Sequence, residues 1–514
     1  MKKYFDVYPR VFYPSLILIL SFVLVAILGG DPVKNFFTEV THTVTSYGGW
    51  LFILGVNIFI VVCLWAAFGK FGKKRLGGKG AVPEFSMFSW FSMLFSAGMG
   101  IGLLYFAVSE PITHFINPPL DTPQVKDQAI QALNFTYLHW GLHAWAIYCL
   151  VGLSLAYFSF NKNLPFSLRS IFFPVLGRKI FGWRGDIIDV IAVVATLFGL
   201  ATSLGFGARQ IATGGNFLFG FDAGVGSQII IIVIITLIAT LSVVTGLKKG
   251  VKLLSRLNLI VAVIFLVFVF LLTDPVGVLN IFVESTGMYF QRFIELGSWS
   301  SSFTDNTWQG DWTIFYWAWW IAWSPFVGMF IARVSRGRTV REFVLGVLFV
   351  PTLITFIWMS TFGGSALLLE IDQPGLLSGP IMEDSSTSLF VFLKQFPLPA
   401  VTSFIGIFMV SVFFVTSSDS GSLVIDSITS GGKLNAPVGQ RILWAFMEGA
   451  VAIALLVGGG LKTMQAASIS TGILFLIVLF IMCWSLVKSL GRGHKKRLKK
   501  FKQKHPNAWV ESDA

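Results

Sequence analysis

The sequence predicts an all-α polytopic membrane protein with twelve transmembrane helices, on three observations. First, 55% of its 514 residues are hydrophobic and only 12% are charged, and the mean hydropathy of +0.76 lies outside the range of soluble domains. Second, twelve windows are long and apolar enough to cross the ~30 Å of a bilayer's hydrocarbon, which takes ~20 residues of helix. Third, the basic residues between those windows alternate in the way that topology demands. With the N-terminus placed in the cytoplasm, the 38 Lys and Arg fall on the cytoplasmic side except for six: Lys34, Lys126, Arg292, Lys394 and Lys462 outside, and Arg209 within a span. That bias is the positive-inside rule.

The first window, 12–30, follows the basic residues Lys2, Lys3 and Arg10 and ends in "GGDP" without a small-x-small cleavage site. It reads as a retained span and not a removable signal peptide. With the window at 50–70 it makes up an N-terminal segment, residues 1–85. Windows 86–108, 133–160, 188–216, 228–246 and 254–273 form a block of five over residues 86–273. Windows 311–332, 342–368, 398–421, 440–458 and 463–487 form a second block over residues 311–487. Because five is odd, successive blocks of five must lie in opposite orientations, which is the pattern of inverted-repeat transporters with a site between discontinuous helices near the midplane. Both blocks open on a helix expected to be interrupted, the third span by glycines that let it unwind and free backbone carbonyls, the eighth by Pro325 and Gly328. The third span carries Gly98, Gly100 and Gly102 in "FSAGMGIGLLYFAVSEP", and the eighth carries Pro325 and Gly328 in "WAWWIAWSPFVG".

Between the blocks, residues 274–310 show an amphipathic pattern (Ile281, Phe282, Met288, Tyr289, Phe293). It fits either a helix lying along the outer membrane surface or an external loop packed on the bundle. Residues 488–514 are a short basic cytoplasmic tail, too brief for a domain. Its Lys and Arg carry topology information and suit contact with anionic membrane lipid. The net charge of +13 is thereby accounted for without nucleic acid.

Catalysis finds no support. Cys63, Cys149 and Cys483 lie in apolar runs, with neither a disulfide framework nor zinc spacing. His139 and His143 are four apart, a spacing metals use, but no carboxylate or third ligand accompanies them in the local sequence, so they read as packing residues. "TSSDSGS" at 416–422 lacks the glycine-flanked elbow of a hydrolase serine. An intramembrane enzyme acting on choline-like lipids has no nucleophile, base or metal set to use.

Two aromatic sets carry the binding chemistry. In the eighth span Trp317, Trp320 and Trp323 recur at three, and Trp319, Trp323, Phe326 and Phe330 at three or four, so a helix displays rings along adjoining stripes. In the fourth, Trp145 and Tyr148 share a face and Trp140 lies a turn and a half earlier. Facing ring sets suit a quaternary ammonium, which cannot donate hydrogen bonds and is held by ring faces at ~2 kcal/mol or more each when desolvated. In the tenth span Thr416 and Ser417 are adjacent hydroxyls in an apolar helix. With backbone carbonyls from a broken helix they suit an alkali cation; the competing reading is that they bond back to their own preceding turn.

The stretches "GMGIGLLYFAVSEP", "HWGLHAWAIY", "WTIFYWAWWIAWSPFVGMFIARVSRGRTVREF" and "FFVTSSDSGS", in this order, resemble the motifs of the betaine/carnitine/choline transporter family over residues 50 to 490. The resemblance implies a LeuT-type 5+5 inverted repeat (spans 3–7 and 8–12) with two additional N-terminal helices, a cell-membrane location with both termini cytoplasmic, and often a homotrimer. It implies an onium box of Trp140, Trp145, Tyr148, Trp320 and Trp323, with Phe315, Trp317 and Trp319 along the route and backbone of Ala97 and Met99 lining the pocket. One sodium site maps to Ser96, Met99, Phe413, Thr416 and Ser417, and a second involves Thr196 and Phe326.

The expected activity is import of glycine betaine, or a similar zwitterionic compatible solute, by Na+ symport through alternating access, with no cofactor besides Na+. Proton-coupled symport, or exchange of choline, carnitine, ectoine or a sulfonium analogue, is the alternative. Certain departures bear on that choice. Leu200 stands where some sodium-coupled members have a second threonine, and Gly102 where proton-coupled choline members tend to have Asp, which favours a betaine. Arg256 and Arg209 are the cations that a sodium-free exchanger would draw on, and Asp419 and Glu448 the carboxylates that a proton-coupled mechanism would need.

Overall fold

A computed structural model describes residues 5–491 apart from 99, 121, 123, 245–247, 304–306 and 434–436, and describes only the backbone of 95–98 and 248–255. Met99 and the basic tail beyond Gly491 therefore lie outside the described residues, as do the side chains of Ser96 and Ala97. The main helices are α1 (Pro9–Leu28), α2 (Gly30–Phe68), α3 (Met87–Gly98), α4 (Ile101–Ile116), α5 (Val125–Trp140), α6 (Leu142–Ala156), α7 (Trp183–Phe219) and α8 (Val225–Val244). They continue with α9 (Lys248–Leu272), α10 (Pro275–Gln291), α11 (Phe315–Val334), α12 (Val340–Met359), α13 (Pro399–Thr429), α14 (Val438–Val457) and α15 (Leu461–Gly491). Among the described residues there is no strand, only an isolated bridge between Arg75 and Thr339.

Ten helical stretches are long and apolar enough to cross a membrane, or eleven if α9 and α10 are counted as one span bent by 108°. The sequence window at 86–108 is the exception. It falls on two short helices, α3 ending at Gly98 and α4 starting at Ile101, with Gly100 in an extended conformation. The fourth window is also divided. Gly141 interrupts it between α5 and α6, and a π-helical turn, Tyr157–Asn161, ends it.

The expected interruption at Pro325 is not found. The α11 helix runs through it unbroken, and its irregular turn lies earlier, as a π-helix over Gly310–Ile314. The reason is local: proline removes the N–H that would bond the carbonyl four residues back, and the Ser324 hydroxyl donates to that carbonyl, on Ile321, at 2.7 Å. A neighbouring hydroxyl thus satisfies the freed group and the helix continues.

Other ends follow from their sequences. The α12 helix starts on a capping box in which Thr339 and Glu342 satisfy each other's backbone N–H. Asp274 accepts from the Val276 N–H, and Pro275 opens α10 where its missing donor costs nothing. After the 108° turn, α10 packs by one face, burying Ser285 and seating Tyr289 against Tyr137 and Phe356 at 6.2 and 5.0 Å. Leu279, Val283 and Phe290 on its other side remain exposed. The connector is thus a packed helix with an apolar outer face, which combines features of both readings of the sequence.

Burial is arranged as a bilayer requires. The α11 helix sits centrally against α6, α7 and α15, and only Phe330 and Arg333 of its residues are not buried. At the periphery, Ile17, Leu24 and Leu28 of α1, Ile234 and Leu241 of α8, and Ile260 and Ile264 of α9 are exposed. A wide exposed apolar belt on a monomer marks a surface that faces something other than water. The three cysteines are buried and unbridged.

Candidate functional site

The helical spacing of the rings on α11 brings one stripe against α4, α5 and α6. Trp320 stacks on Trp319 at 4.7 Å and meets the edge of Trp140 at 5.0 Å. Tyr148 lies 6.3 Å from Trp320 and 5.6 Å from Trp145, and Trp323 lies 6.3 Å from Trp320. Trp140, Trp145, Tyr148, Trp320 and Trp323 are therefore one continuous set of buried rings. Phe315 stacks on Trp319 at 5.5 Å, extending the set toward Phe206. Trp317 does not join it. It projects from another side of α11 and stacks on His143, 5.7 Å away with planes 17° apart.

The glycines at the break have separate reasons. A Cβ on Gly100 would lie 3.2 Å from Trp323, and one on Gly102 would lie 2.9 Å from both Trp140 and Trp319. The expectation that Gly102 helps unwind the helix is corrected, because Gly102 sits inside α4. What it supplies is room for two indoles to approach the backbone. Gly98 is the last residue of α3.

Beneath the rings is a polar network that the sequence reading did not assign. The Glu110 carboxylate, fully buried, accepts hydrogen bonds from His139 Nδ1 (2.6 Å), Trp140 Nε1 (2.8 Å) and Tyr316 OH (2.5 Å), with His114 Nε2 3.2 Å from it. His139 Nε2 lies 2.9 Å from Thr313 Oγ1. Where α5 ends at Gly141, the His139 carbonyl accepts the Trp320 indole N–H at 2.9 Å. His139 was expected to lack a carboxylate and a third ligand. The fold supplies both, since the ligand atoms of Glu110, His114 and His139 lie within 4.8 Å of one another. Their spacing would allow a metal ion, although here they bond one another. The available signal was Glu110 itself, an acid inside the quoted "AVSEP", because a carboxylate in a span is a functional suspect by default. Its partner Tyr316, the Thr313 that bonds His139, and Phe106 at 6.2 Å from Trp140 had no local signature.

The ion positions are less assembled. Thr416 donates within its own helix, to the Val412 and Phe413 carbonyls at 2.9 and 3.2 Å, and Ser417 beside it is half-buried. The hydroxyl of Thr416 and the carbonyl of Phe413, expected to share an ion, thus bond each other. Ser96 and Met99, the other members expected there, fall among the residues already excluded. Thr196 is fully buried, and its hydroxyl has no partner among the described residues. Phe326 packs on Trp323 at 5.6 Å. Leu200, one turn beyond Thr196, fills the space over Gly421 beside Glu448. Glu448 accepts from Ser418 at 2.8 Å through one oxygen, while the other has no described partner; Asp419 is half-buried. Arg209 pairs with Asp384 at 2.9 Å, and Arg256 is exposed on α9 with no ion pair among the described residues.

Comparison with known proteins identifies the family. A family model described as betaine/carnitine/choline family transporter matches residues 10–495. The chain is 48% identical over 497 residues to glycine betaine transporter 1 of Vibrio parahaemolyticus, covering 95% of this chain and 94% of that protein. It is 43% identical to the glycine betaine transporter of Acinetobacter baylyi, covering 95% of this chain and 74% of that one, and 41% identical to a probable glycine betaine transporter of Desulfitobacterium hafniense, covering 94% and 98%. It is a multi-pass membrane transporter and not an enzyme, and it belongs to the betaine/carnitine/choline transporter family.

Proposed function

We propose that this chain imports glycine betaine, or a closely similar zwitterionic onium solute, across the cell membrane by Na+ symport and alternating access. One observation carries the reading: five buried rings from α5, α6 and α11 form one continuous cluster beside a broken helix. A trimethylammonium group spreads its charge over methyl groups and offers no N–H, so ring faces bind it where a carboxylate would be a poor shape match. The names of the relatives point to the same substrate. Backbone near Ala97 and Met99 suits the carboxylate end. Phe413, Thr416 and Ser417, with Ser96 and Met99, suit one sodium ion, and Thr196 with Phe326 a second. A twelve-span layout of two inverted five-helix repeats, with both termini cytoplasmic, places the broken α3–α4 and the aromatic α11 as counterparts. Assembly as a homotrimer in a lipid bilayer belongs to the same reading.

Radiolabelled betaine uptake into proteoliposomes tests it. Uptake should be driven by an inward Na+ gradient and not by an equal K+ gradient. Equal uptake under both sinks the sodium coupling, and counterflow without any ion gradient would identify an exchanger.

A further inference from the structure

The carboxylate of Glu110 has no role in the proposed transport cycle as described, yet it is the most heavily hydrogen-bonded side chain at the ring cage. We infer that Glu110 is the positioning residue of the onium cage: through direct bonds it fixes Trp140 and Tyr316, whose ring lies 5.7 Å from Trp320, so that the ring faces are held for a cationic headgroup before the substrate arrives. The inference rests on the aromatic cage being the substrate site.

The geometry supports it in three steps. An indole donates one hydrogen bond, and a buried indole turns to satisfy it. The Trp140 N–H ends on one Glu110 oxygen, which Tyr316 also donates to, and both donors are thereby held at fixed angles. The other oxygen bonds His139, whose far nitrogen is tied to Thr313 and whose carbonyl receives the Trp320 N–H. Hence one carboxylate sets the orientation of rings on two different helices, the Trp140 indole on α5 and the Tyr316 phenol on α11. Hydrogen bonds to an ionised acceptor are about twice as strong as neutral ones and more directional, so a carboxylate does this better than an amide. A preformed cage binds more tightly because less side-chain freedom is lost on binding. A negative charge on the indole N–H also enriches the ring that faces a cation, which favours the onium end of a zwitterion over its carboxylate end.

The test is Glu110→Gln, read by tryptophan-fluorescence titration of purified transporter with betaine and, separately, with tetramethylammonium, which carries the onium alone. Glutamine keeps the volume but offers one acceptor oxygen in place of two, so either Trp140 and Tyr316 together or His139 loses its charged acceptor. Both dissociation constants should rise about tenfold, the worth of one charge-assisted bond, while the maximal uptake rate at saturating betaine stays near wild type. Combined with Trp140→Phe, the variant should show strong non-additivity, because Glu110 acts through that indole. Unchanged affinity in Glu110→Gln, or additive effects with Trp140→Phe, would overturn the inference. If Glu110→Gln does not fold, Thr313→Val loosens His139 alone and should weaken both ligands in the same direction by a smaller factor; no change there overturns it equally. Failure of the wild type to respond to betaine would instead overturn the substrate reading.

Discussion

The ring cage proposed for the substrate and the hydroxyls of α13 proposed for an ion are built differently. In the ring cage, polar atoms reach across helices: Trp140 to Glu110 on α4, Trp320 to His139 on α5, and Trp319 to the Gly199 carbonyl on α7 at 3.3 Å. On α13, Thr416 satisfies itself on its own preceding turn. A side chain bonded across helices is fixed by tertiary packing, and its site is preformed. A hydroxyl that donates to its own helix still has lone pairs facing outward, but whether they meet other oxygens depends on where the broken α3–α4 segment lies. Under the proposed function, the contrast means that the cage is preformed, while ion binding would be the step that gathers its ligands and so would be suited to couple with a change of conformation.

Three measurements sharpen or break that contrast. The largest effect is expected from Trp320→Leu, which deletes the ring shared by Trp140, Tyr148 and Trp319. It should remove about 2 kcal/mol of cation–π attraction, raising the betaine dissociation constant about 30-fold with Na+ affinity little changed. An unaltered betaine affinity would mean that the cage is not the substrate site. Next is Gly102→Ala. Its methyl would sit 2.9 Å from the ends of both Trp140 and Trp319, and overpacking of that kind costs about 1–3 kcal/mol. The cage should open at the cost of about tenfold in affinity; a tolerated methyl would show that the indoles are mobile and the cage is not preformed. The smallest is Thr416→Val, which keeps the shape and deletes a hydroxyl. The Na+ concentration for half-maximal uptake should rise about fivefold, roughly the 1 kcal/mol of a single neutral polar contact, with no effect on betaine binding measured at saturating Na+. A change in betaine binding alone would place Thr416 in the cage and erase the distinction between the two halves.

Much was readable along the chain because it is governed by local quantities. Whether some twenty residues prefer hydrocarbon to water, and on which side Lys and Arg remain, depends on composition within one stretch. The helical repeat likewise placed the rings of α11 in stripes, and the glycines around Met99 marked a break before any contact was known. Packing alone could say which stripe faces the cage. Trp317 and Trp320 are both tryptophans on one helix, but the first turns to His143 and the second to Trp140. Gly102 looked like a helix breaker and proved to be the space into which two indoles fit. Pro325 looked like a break too, and one hydroxyl on Ser324 removed it. Glu110 was visible as a lone acid in an apolar run, but its meaning came from donors 29, 30 and 206 residues away in the chain. Hydrogen bonding and ring packing act over a few ångströms in space, and distance along the chain carries no record of them until the helices have come together.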